Sequence, residues 1–158
     1  RHYRAHAPAG LWDRPAPPRR ATLCLTLADL DPMRRFYAQH FDARARFESA
    51  AYLVLQLGGP LAPELHLMQS MPGQPLFGGQ GLMLNVELEA VDALYAAMCA
   101  AEVPMRMPLE DHPWGDRAFS CVDPAGLELY CYSPRPIAAG HAGTLCWPWS
   151  SADPAAAG

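Results

Sequence analysis

The residues best able to do chemistry sit near the end of the chain, in Glu128-Leu129-Tyr130-Cys131-Tyr132, just after the turn Asp123-Pro124-Ala125-Gly126. In an extended strand successive side chains alternate between faces. Leu127, Leu129 and Cys131 therefore share one face, while Glu128, Tyr130 and Tyr132 share the other. A carboxylate beside two phenols can stack on a ring and attract a cation. A second such strand holds His66 and Met68 on the face opposite Leu65 and Leu67, and a third puts Thr22 and Cys24 opposite Leu23 and Leu25. Tyr52, Met83, Phe119 and Trp114, the last in His112-Pro113-Trp114-Gly115-Asp116-Arg117, add aromatic and adaptable apolar surface. Three chemistries are open to this set. It could hold a ring-bearing cation, it could run acid–base catalysis through His66 and Glu128, or it could use the Cys24 thiol with His66 as a nucleophile. The third is disfavoured by an expectation that Cys24 is buried in an apolar strand, because burial suppresses the thiolate.

The elements that position these residues repeat. Residues 21–28 alternate strictly, and Asp31-Pro32 starts a helix to about 41, with Asp as N-cap and Pro in the first turn. Strands are predicted near 44–49, 51–57 and 63–69. The pattern then restarts with a strand over 81–87, a helix over about 89–102, and strands near 104–108, 117–122 and 126–133. Leu25 to Leu30 superimposes on Leu84 to Glu89, so a unit of about 60 residues occurs twice. The fold class is α+β, with two tandem βαβββ modules, 21–69 and 81–134, forming a curved, barrel-like cleft. A Pro- and Gly-rich linker spans 70–80, and the hinge Gly78-Gly79-Gln80-Gly81 joins it to the second module. An irregular arm (1–20) and a tail (135–158) flank this domain.

Composition narrows the partners. The 158 residues carry a net charge of −4 and no lysine, which offers nothing to nucleic acid or an anionic membrane. No apolar run is long enough to span a bilayer. The five cysteines, Cys24, Cys99, Cys121, Cys131 and Cys146, form no C-x-x-C pair and predict reduced thiols in a cytoplasm. No G-x-G-x-x-G, Walker or G-x-S-x-G sequence occurs.

The doubled βαβββ unit, the Leu27-Ala28-Asp29-Leu30 entry into a helix with Phe36-Tyr37, and the closing Asp123-Pro124-Ala125-Gly126 turn together resemble the vicinal oxygen chelate superfamily. That group includes glyoxalases, fosfomycin-modifying transferases, extradiol dioxygenases and bleomycin-resistance proteins. The resemblance covers about 21–133. It implies a divalent metal held by the first and last strands of each module, and those positions fall on Thr22, His66, Gly81 and Tyr130. One good donor of four implies the metal-free branch, with no metal and no cofactor: a homodimer of the bleomycin-resistance type that sequesters an aromatic or cationic small molecule. The implied ligand-binding residues are Thr22, Cys24, Tyr52, His66, Met68, Met83, Trp114, Phe119, Glu128, Tyr130 and Tyr132. The alternative implied by the same family is a metal-dependent or acid–base enzyme, a lyase, isomerase or thiol transferase.

Overall fold

A computed structural model describes residues 20–59 and 62–141. The predicted order appears twice. The first module runs β1 (Cys24–Leu27), α1 (Asp31–Phe41), β2 (Arg44–Glu48), β3 (Tyr52–Gln56) and β4 (Glu64–Gln69). The second runs β5 (Met83–Glu87), α2 (Val91–Ala100), β6 (Met105–His112), β7 (Asp116–Val122) and β8 (Glu128–Pro134). Each module builds a four-stranded sheet, ordered β1-β4-β3-β2 and β5-β8-β7-β6. In each, the first strand pairs parallel with the last, and the rest of the sheet is antiparallel. Among the described residues the two sheets are not hydrogen-bonded into one closed barrel.

Local chemistry explains the boundaries. Helix α1 begins one residue earlier than expected: Leu30, not Asp31, takes the N-cap position, and it offers no side-chain bond. The missing acceptor comes from Asp29, whose Oδ1 takes the Asp31 N–H at 3.0 Å. Asp42 ends the helix in a left-handed conformation, returning its N–H to the Tyr37 carbonyl. Strand β6 continues past the expected stop at 108, although Pro108 has no N–H to give. Register shifts lie on either side of Met107, and β6 is an edge strand, where a proline costs little.

One apolar core serves both sheets. It takes Leu25, Leu27, Leu53, Leu55, Leu65 and Leu67 from the first sheet and Phe119, Cys121, Leu129 and Cys131 from the second. Met33, Phe36 and Tyr37 of α1 and Val91 and Met98 of α2 complete it. The modules are tied across this core by the Tyr37 hydroxyl, which donates to Asp123 Oδ2 at 2.9 Å. Asp123 Oδ1 in turn accepts the Ala125 and Leu127 N–H groups at 2.8 and 2.9 Å, closing the turn before β8. The other face of each sheet points away from the core, and these two open faces carry the candidate chemistry.

Candidate functional site

On the open face of the first module, strand register brings Cys24 beside His66, and Val54 beside His66 on the other flank. Tyr52 and Thr26 flank Met68 in the same way. His66 is engaged at both ring nitrogens: the Tyr52 hydroxyl lies 2.8 Å from Nδ1, and Glu64 Oε2 lies 3.1 Å from Nε2. Glu64 is held in turn by Arg46 at 2.8 Å and by an ion pair with Arg20. The Arg20 guanidinium, helped by His66 and Arg46, keeps the Glu64 carboxyl down at about 2. Glu64 is therefore an ionised acceptor for an Nε2 proton of His66, while Nδ1 meets the Tyr52 hydroxyl. Burial, and a hydrogen bond with the Cys24 thiol, push the Tyr52 phenol above its ordinary range. Glu64 reaches His66 from the same face of β4, and Tyr52 reaches it from the neighbouring strand β3.

The open face of the second module is organised around Asp116. Its Oδ1 accepts from His112 Nδ1 at 2.8 Å, and its Oδ2 from the Tyr130 hydroxyl at 2.8 Å and Trp114 Nε1 at 3.1 Å. The indole of Trp114 stacks on His112 with centroids 4.4 Å apart and remains 51% exposed. Glu128 accepts from the Ser120 hydroxyl at 2.7 Å, and Glu87 from Tyr132 at 3.0 Å. Burial, then the neighbouring carboxylates, raise the phenols of Tyr130 and Tyr132. Asp116 and His112 were not singled out as a pair. The signal was present: they flank a tight Pro-Trp-Gly turn, which sets them opposite each other across the β6–β7 hairpin.

Thr22 and Met83 also line a cavity of about 380 Å³ between the β1 and β5 ends, with Leu23, Leu25, Leu65 and Leu127. Phe119 belongs to none of these surfaces. It is 0% exposed, lies in the core, and its ring sits 5.1 Å from that of Tyr95 in α2. Its register partner is Cys131, on the core row of β8, so its place among the ligand-binding residues is corrected. Cys24, expected to be buried, is exposed. It lies at the start of an edge strand that only β4 covers.

Register also revises the comparison of the two modules. Cys24 and Met83 are equivalent in the repeat; His66 pairs with the first and Glu128 with the second. Glu128, rather than Tyr130, is thus the counterpart of His66, and Tyr130 that of Met68. Even so, the donors do not fit a divalent ion. The ring nitrogens of His66 are both engaged, Glu128 is bonded to Ser120, and the first-strand equivalents are a thiol and a thioether. Among the described residues, no group of three or more His, Cys, Asp or Glu side chains is placed to hold a metal.

The family model described as the glyoxalase/bleomycin resistance protein/dioxygenase superfamily matches residues 19–130. The chain belongs to this superfamily. No curated protein matches the chain. Solved structures share the superfamily fold at low identity. A glyoxalase/bleomycin resistance protein/dioxygenase from Nocardioides is 20% identical, with a TM-score of 0.65, covering 92% of this chain and 97% of its own. A glyoxylase/bleomycin resistance protein/dioxygenase domain from Frankia is 21% identical, with a TM-score of 0.60, covering 76% and 100%. The fosfomycin resistance protein FosX from Listeria monocytogenes, solved with Mn(II) and sulfate, is 15% identical, with a TM-score of 0.57, covering 73% and 89%. Among the described residues no helix is long and apolar enough to cross a membrane.

Proposed function

We propose that this superfamily member binds a planar, cationic small molecule on the open face of its second module, without a metal, as a sequestering homodimer in the cytoplasm. One observation carries the reading. Glu87, Asp116 and Glu128 share this face, and no arginine pairs with any of them among the described residues; their bonded partners are phenols, a hydroxyl, an indole and one imidazole. Hydrogen bonds from phenols, a hydroxyl and an indole steady a carboxylate but leave its charge in place. The face is therefore negative where it is also aromatic, at Trp114, Tyr130 and Tyr132. Glu64 on the first module is the contrast, because two arginines neutralise it.

The test is a thermal-shift and fluorescence titration with acridine orange, a planar cation, against 8-anilinonaphthalene sulfonate, an aromatic anion. Acridine orange raises the midpoint; at a hundredfold excess over Kd the gain is about 2.7 kcal/mol. Glu128→Gln and Asp116→Asn each weaken its binding by about tenfold, the scale of one partly desolvated cation contact. Equal binding of the anion, or no shift with the cation, overturns the reading.

A further inference from the structure

The first module presents the opposite charge, at a place that cation binding leaves unused. Glu64 opens β4, and its side chain is only 2% exposed. Two guanidiniums converge on it, Arg46 at 2.8 Å and Arg20 through an ion pair, yet their side chains are 54% and 55% exposed. Arg46 engages the carboxylate through Nη1 and Arg20 through Nη2, so each fork keeps N–H groups with no acceptor among the described residues. Water therefore meets two cations and almost none of the anion between them. Arg20 and Glu64 also line the cavity of about 380 Å³ between the β1 and β5 ends. Its walls are aliphatic: Leu23, Leu25, Leu65, Leu82, Leu84 and Leu127. Among the described residues no aromatic side chain lines it, so a flat ring gains no stacking partner there.

We propose that this cavity binds an aliphatic carboxylate of medium chain length, with the chain between the leucines and the carboxylate on Arg20 at the mouth. Each half of the ligand answers a separate feature of the site. The planar fork of an arginine matches a carboxylate, and here the surplus of positive charge is left unspent by Glu64. The leucines favour a flexible saturated chain, which gains from every methylene removed from water without needing a ring to stack on. At about 30 Å³ for each methylene-sized group, a cavity of about 380 Å³ takes a chain of roughly ten carbons. The site goes beyond the cation-binding reading and does not depend on it. It lies between the strand ends, carries the opposite charge, and shares neither Asp116 nor Glu128 with that reading.

Calorimetric titration of the full-length chain with hexanoate, octanoate, decanoate and tetradecanoate, each below its micelle concentration, tests this. Affinity rises roughly fourfold per added methylene from hexanoate to decanoate, then levels off at tetradecanoate once the cavity is full. Arg20→Gln weakens decanoate by about tenfold and leaves 1-decanol within about twofold, because only the charged head loses its partner. Arg20 is exposed, so this variant does not threaten the core. Leu23→Trp, at an exposed wall position, fills the mouth and removes decanoate binding while far-UV circular dichroism stays unchanged. No binding of decanoate by the unmodified sequence overturns the proposal. So does an affinity indifferent to chain length, or an equal loss for the alcohol and the acid in Arg20→Gln. Saturating acridine orange leaves the decanoate Kd unchanged, and displacement of one by the other overturns the assignment of a separate site. The two readings fail independently, since a dye that does not bind leaves the chain-length series and its Arg20→Gln response intact.

Discussion

At the scale of single residues, two carboxylates show opposite responses to their surroundings. Asp123 is buried, and burial raises its pKa; the Tyr37 hydroxyl and the Leu127 and Ala125 N–H groups work against that rise. Tyr37→Phe removes one donor from a buried acceptor, and the expected cost is about 1–3 kcal/mol in urea unfolding near neutral pH. It also drives the folded-state pKa of Asp123 further up. A folded pKa above the unfolded one means stability is lost as pH rises through it. The penalty of Tyr37→Phe therefore shrinks in acid, where Asp123 is protonated, and a penalty that is flat with pH would contradict this. Glu64 has the opposite sign. Its folded pKa of about 2 lies below the ordinary 4.5, so its stabilisation is complete above the unfolded value and is lost as pH falls from about 4.5 through about 2. Glu64→Gln should flatten acid unfolding over that window, and an unchanged acid limb would show that the pairing with Arg20 and Arg46 contributes nothing.

At the scale of elements, the linker between the modules is bonded to β1 through the Phe77 N–H, which donates to the Thr26 carbonyl at 2.8 Å, and it packs closely on the second module at Gly79. Gly79 has a φ of +73°, and a Cβ there would sit 2.5 Å from the Gly126 carbonyl oxygen in the turn before β8. Gly79→Ala is expected to cost roughly 1–3 kcal/mol, from the strained backbone together with the clash against main chain. Gly78→Ala, where no heavy atom lies within 4 Å, is the control and should be close to neutral. Similar unfolding midpoints for the two variants would refute the contact. The element order was legible because alternation and the 60-residue repeat are properties of the chain alone. So were the faces of His66, Glu128, Tyr130 and Tyr132. What alternation does not encode is register, and the site depends on it. The contact of His66 with Tyr52, the three donors on Asp116 and the equivalence of His66 with Glu128 arise from which strands and residues stand beside which. Phe119 shows the difference: its partner Cys131 was already on the core row, but only the pairing of β7 with β8 transfers that assignment to Phe119.

At the scale of the whole molecule, the shared core uses one face of each sheet and leaves the other uncovered. Large apolar side chains remain there, with Phe47 54% exposed beside Val54 and Met83 47% exposed beside Glu128. A second copy laid against these faces would remove them from water and turn two open sheets into walls of an enclosed groove. A stable pairing of this kind buries about 1,600 Å² in total. Light scattering after size exclusion is therefore expected to give twice the chain mass of 17.3 kDa at micromolar concentration. Phe47→Glu and Met83→Glu place a charge on the proposed contact without touching the core, so each should shift the mass toward a single chain while far-UV circular dichroism stays unchanged. They should also weaken acridine orange binding, because the groove then loses its second wall. A single-chain mass for the unmodified sequence would reject the dimer. Full dye binding by a monomeric Phe47→Glu variant would show that one open face is sufficient for the ligand.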